Sequence, residues 1–79
     1  MEVKTFYKSQ VEVANALSEV IDAYLEDRIE ENFMRNSINK IVENNKDKVI
    51  NTEGFTTVVK QKCGKRRLSI ISKIIEKHI

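Results

Sequence analysis

The sequence predicts a mainly α, small helical domain: an antiparallel hairpin of two helices and a basic C-terminal helix, with a short N-terminal strand or a β-hairpin as the only candidate β structure. Three observations carry this reading. Apolar residues recur at steps of three and four over two long stretches. Proline, which breaks helices, is absent, and glycine occurs twice in 79 residues. A serine followed three residues later by a glutamate stands where the first helix would begin.

Val3, Thr5 and Tyr7 alternate with Lys4 and Phe6, the period of a short strand or extended arm. Ser9 and Glu12 have the capping-box spacing, in which hydroxyl and carboxylate each satisfy an orphaned amide of the first turn. From Val13 the stripe Leu17, Val20, Ile21 and Tyr24 predicts a helix over residues 9–27, with Glu12, Asn15, Glu19, Asp22 and Glu26 on its opposite side and no sharp stop at its end. A second helix is predicted over 30–45. Its stripe is Met34, Ile38, Ile41 and Val42, with Phe33 at the edge of the contact and Asn32, Asn36 and Asn39 outside. Those asparagines are mediocre helix formers, so this helix depends on packing against the first.

Asn44 to Asp47 read as a loop, and Asn51, Thr52, Glu53 and Gly54 as a turn. Residues 55–63 are ambiguous. Thr56 to Val59 are all β-branched and can pair with Val49 and Ile50 as a hairpin; alternatively Thr56 caps a short helix whose Phe55, Val59 and Cys63 fall on one side at steps of four. The second reading is favoured, because Val58 and Val59 are adjacent and spoil a strand alternation. Gly64 interrupts the segment. The last helix begins near Lys65, with Leu68, Ile71, Ile74 and Ile75 as an apolar face broadened by Ile70. Residues 1–79 are thus expected to form one domain, and the isoleucine surplus of the last helix predicts a homodimer.

Charge is distributed unevenly. Residues 1–45 carry five cations against nine carboxylates, a net −4, while residues 46–79 carry nine against three, a net +6. An acidic half and a basic half can pair internally, pair head to tail with a second copy, or leave the basic half for a polyanion. A single Cys63 makes no internal disulfide, which points to a cytoplasmic setting. No apolar run approaches the length of a membrane span or signal peptide, so no membrane partner is expected. His78 is the only histidine, so no metal cluster, cofactor or His-supported nucleophile is expected, and no enzymatic activity. Cys63 reads as a small buried hydrophobe before it reads as a reactive thiol.

The stretch that can carry function is basic. Lys60, Lys62, Lys65, Arg66, Ser69, Lys73 and Lys77 are the candidate nucleic-acid-binding residues; Arg66, Ser69, Lys73 and Lys77 project to one stripe of the last helix, opposite the isoleucines. Arg67 projects to the margin of the apolar face and is expected to pair with a carboxylate of the first two helices. Helix, Gly64 and cationic helix are similar in spacing to a helix-turn-helix, although Lys65 stands where such motifs carry an apolar residue. The alternatives are a solvated basic face that balances an acidic partner face, an anionic protein target, and a regulator or inhibitor that meets a protein through the isoleucines or through Glu12, Glu19, Asp22 and Glu26.

On Phe6-Tyr7-Lys8-Ser9-Gln10, Glu43-Asn44-Asn45-Lys46-Asp47-Lys48 and Gln61-Lys62-Cys63-Gly64-Lys65-Arg66-Arg67-Leu68, the chain resembles a family of uncharacterised small proteins of about 80 residues from low-GC Gram-positive bacteria. Cys63 to Leu68 is the most specific part of the match, and Glu30 departs from the Ser or Thr the family favours there. The resemblance implies no activity and assigns no functional residue.

Overall fold

The computed structural model describes residues 2–75 and is mainly helical. In order it contains α1 (Gln10–Leu25), α2 (Glu31–Asn44), a four-residue α3 (Lys46–Val49), strands β1 (Ile50–Asn51) and β2 (Gly54–Phe55), and α4 (Thr57–Ile75), which bends at Gly64. α1 packs most extensively against α4 and also lines α2. One apolar cluster, centred on Leu17, Ile21, Ile38, Ile41, Val59 and Ile71, joins the three long helices.

α1 begins as the capping spacing predicts, because Ser9 Oγ accepts the Glu12 N–H at 3.1 Å. The return half of the box differs. The Glu12 carboxylate accepts from the Ser9 hydroxyl at 3.4 Å instead of reaching back to the Ser9 amide. At the other end, the expectation of no sharp stop is corrected. Asp27 takes φ +60° and donates its N–H to Tyr24 O at 3.1 Å, while Arg28 N–H reaches back to Ala23 O at 2.8 Å. This is a Schellman closure with aspartate where glycine is usual, a residue whose short polar side chain tolerates the left-handed region.

α2 follows after residues 26–30. Its start lies beside the end of α1, where Tyr24 Oη donates to Glu31 Oε1 at 3.3 Å, and its end lies beside the start of α1, so the two helices form the predicted antiparallel hairpin. Met34, Ile38, Ile41 and Val42 are buried as their spacing requires. Glu30 makes no side-chain cap.

Residues 2–8 form no strand, yet their burial alternates as a strand's would: Val3, Thr5 and Tyr7 are half-buried, and Lys4, Phe6 and Lys8 are exposed. The alternation belongs to an extended arm laid over the α1–α2 groove, with Val3 near Ala16 and Val20 on one side and near Ser37 on the other. Asn45 pins the arm. Its Oδ1 accepts the Tyr7 N–H at 3.1 Å, and its Nδ2 donates to Thr5 O at 2.9 Å and to Ile41 O at 2.7 Å.

The predicted loop at 44–47 is therefore corrected as well. Asn45 is a buried junction between α2 and α3, and α3 exists to deliver Val49 into the core, where it is fully buried. The hairpin is real but minimal. Ile50 pairs with Phe55 and Asn51 with Gly54, the Asn51 side chain accepts the Glu53 N–H at 2.9 Å, and Gly54 supplies a φ of +119° that an L side chain rarely adopts. Both readings of residues 55–63 thus hold in part: two residues of strand end at Phe55, and helix follows from Thr57. Thr56, at the junction, turns its hydroxyl back to Lys48 O at 2.8 Å and its N–H to Val49 O at 2.9 Å, tying α4 to α3.

Ile71, Ile74 and Ile75 are buried within this one copy, with Leu68 and Ile70 packed at the margin. Three of the four isoleucines of α4 are consumed by its own core, so its isoleucine content gives no argument for a dimer.

Candidate functional site

Gly64 divides α4 into segments 57–63 and 65–75 at φ +78°, ψ 168°, a combination that glycine alone adopts without strain. The break lets each segment turn its own apolar face to α1. In the first, Val59 and Cys63 are buried four residues apart; Ser18 Oγ donates to Cys63 Sγ at 3.4 Å, and the thiol approaches Ala14 O at 3.6 Å. Burial raises the Cys63 pKa, outweighing the Ser18 hydrogen bond and the nearby Arg67 charge that lower it. The thiol is a packed core group, with little thiolate at neutral pH. A single-residue break also differs from the longer turn of a helix-turn-helix, so the spacing likeness does not extend to the geometry of that motif.

Arg67 is held where its helical projection places it. Nε and Nη2 donate to Asp22 Oδ1 and Oδ2 at 2.9 and 2.8 Å, a two-pronged pair, and Nη1 donates to Cys63 O at 3.0 Å. One guanidinium thus joins α4 to α1 and also bonds the carbonyl immediately before the Gly64 break. The Arg67 hydrogen bond is the largest cause of a lowered Asp22 pKa, and the Asp22 bond raises that of Arg67 in return. Asp22 therefore leaves the group of carboxylates predicted to share the outer face of α1: it turns toward α4, whereas Glu12, Glu19 and Glu26 remain exposed.

The candidate binding residues lie on the other side. Lys60, Lys62, Lys65, Arg66, Ser69 and Lys73 are all exposed. Lys65, Arg66, Ser69 and Lys73 fall within an arc of roughly 100° on the second segment at 3.6 residues per turn, whereas Lys60 and Lys62 stand roughly 160° apart on the first, on opposite flanks of the buried Val59–Cys63 stripe. The structure groups the first four and separates the last two. Lys77 and His78 lie outside the described residues. The ion pairs between described residues are Arg28–Glu26, Arg35–Glu31 and Arg67–Asp22, so none of Lys60, Lys62, Lys65, Arg66 and Lys73 pairs with a carboxylate among the described residues.

Where Lys73 meets the hairpin, a shallow depression of about 180 Å³ opens between α1, α2 and α4, lined by Tyr24, Glu31, Met34, Arg35, Ile70, Lys73 and Ile74. Sequence reasoning passed over Arg35, because its spacing reports only its own helix. Among the described residues, no three His, Cys, Asp or Glu side chains gather as metal ligands, and no helix is long and apolar enough to cross a membrane.

A family model described as conserved hypothetical protein matches residues 4–76, from the N-terminal arm through the whole of α4. No curated protein and no solved structure matches the chain. By that match, the chain belongs to this family of conserved hypothetical proteins.

Proposed function

We propose that this chain is a small, non-enzymatic regulatory protein that binds nucleic acid through the outer face of α4, in the cytoplasm of a low-GC Gram-positive bacterium. The observation that supports it is the accounting of charge. Only Asp22–Arg67 carries an ion pair from the acidic half to α4 among the described residues, so the exposed cations of α4 are not consumed by internal pairing. Lys65 and Arg66 also open a helical segment, the end at which the backbone dipole already favours anions and at which cations raise the local potential further.

The chemistry of the face favours a duplex backbone over a single strand. α4 holds Lys, Arg and Ser on this side and no aromatic residue anywhere along its length, so it offers phosphate contacts without a platform on which unpaired bases stack. Binding should then be strongly salt-dependent and weakly sequence-dependent.

Fluorescence anisotropy of a labelled DNA duplex, titrated across salt, tests the reading. Replacing Lys65, Arg66 and Lys73 together by alanine is expected to leave the fold intact and to flatten the plot of log affinity against log salt by about 2.7, near 0.9 per lost phosphate contact. An unchanged slope in the triple variant overturns the proposal and turns attention to a protein partner.

A further inference from the structure

We propose that Arg35, on α2, is a phosphate-binding residue of the same surface, so that the nucleic-acid backbone passes from the outer face of α4 over Lys73 to the hairpin. This rests on the reading of α4 given above and adds a residue from a different part of the chain. Arg35 and Lys73 line one depression although they are 38 residues apart, and its floor is the apolar Met34, Ile70 and Ile74. Such a floor holds the two cationic stems beside each other, and Glu31, the one carboxylate in the lining, is already bonded to Arg35 and Tyr24.

The orientation of Arg35 matters more than its charge. Its Nε donates to Glu31 Oε2 at 3.0 Å, and the other oxygen of that carboxylate accepts from Tyr24 Oη at 3.3 Å. Glu31 is thereby occupied on both oxygens and serves as a bracket that fixes the plane of the guanidinium. The bond is made through Nε, and among the described residues neither Nη of Arg35 has a hydrogen-bond partner, so the forked end is left for an incoming ligand. A planar fork with two free nitrogens beside an ammonium group matches the oxygens of a phosphodiester. Arg67 illustrates the contrast: its Nε and both Nη nitrogens are spent inside the molecule.

The experiment uses the same labelled duplex and the full chain. Arg35→Gln is expected to weaken binding about five- to tenfold near 0.1 M salt and to reduce the salt slope by about 0.9, the signature of one lost phosphate contact. Lys40→Gln removes an equal charge from the arm side of α2, and is expected to leave affinity and slope close to wild type. Arg35→Lys restores the charge, and should restore the slope while keeping part of the affinity loss, because an ammonium cannot reproduce the fork. If Arg35→Gln binds like wild type, or loses no more than Lys40→Gln, the inference is overturned while binding by α4 stands. A slope that stays reduced in Arg35→Lys places the effect in the fold and overturns it too. If the wild-type chain does not bind the duplex, the reading of α4 fails first, before any variant is made, and the inference falls with it.

Discussion

The two sides of α4 treat the same kind of residue in opposite ways. On the side facing α1, Arg67 is half-buried, bound to Asp22 through two nitrogens and to Cys63 O through a third, beside a thiol sealed among Ala14, Ser18 and Val59. On the outer side its neighbour Arg66 is exposed and has no ion pair among the described residues. About 100° of helical rotation separates them. The inner side is expected to hold the fold and the outer side to be free for a partner, so substitutions on the two should part stability from binding.

The largest effect should come from the core of the inner side. Ile71 is fully buried against the hairpin, and Ile71→Ala is expected to cost about 2–5 kcal/mol, read from the urea midpoint. That is a large share of the marginal stability of a small domain. A loss below 1 kcal/mol would show that α4 is not needed to seal the hairpin core.

Gly64→Ala comes next. No heavy atom lies within 4 Å of the added Cβ, so the cost is purely conformational, about 1–3 kcal/mol for a non-glycine residue at this φ and ψ. Because the break orients both segments, this variant should also disturb binding, unlike a substitution on the outer face alone.

Asp22→Asn addresses the seam itself. The pair is about one-third exposed on each side, so solvent screening limits its contribution to about 1 kcal/mol at neutral pH. The sign of the pH dependence follows from the lowered Asp22 pKa: the stabilisation is present above the ordinary aspartate value of 3.8 and is lost as pH falls through the lower folded value. Urea midpoints of wild type and Asp22→Asn should therefore differ at pH 7 and converge in acid. A gap that persists at low pH would assign the effect to packing.

The smallest expected change is on the outer face. Lys65→Ala should alter stability by no more than about 0.5 kcal/mol while weakening duplex binding. If it destabilised the fold as much as Asp22→Asn, the two sides would not be separable in the way the ion pairs indicate.

Much of this arrangement is legible in the sequence. The two apolar stripes and the inward position of Arg67 follow from helical periodicity, and the Ser9 cap and the Gly64 break from residue type at one position, all of which a sequence states directly. The alternation of Val3, Thr5 and Tyr7 was equally visible, but periodicity reports which side chains face inward and not what they face; the arm meets helices rather than a neighbouring strand. The closure of α1 at Asp27 is not legible, because the left-handed position that ends a helix is expected at glycine or asparagine.

The cap that starts α1, the break at Gly64, the apolar face of each long helix and the concentration of cations near the C-terminus are written in the sequence, since each depends on residues within a few turns of one another. Packing in three dimensions is what makes Asn45 clamp an arm 40 residues away, gives Asp22 to Arg67, covers Ile71, Ile74 and Ile75 within one copy, and sets Arg35 beside Lys73. These are contacts between groups far apart in the chain. Their partners are chosen by how three helices pack around a shared core, and no local pattern records that choice.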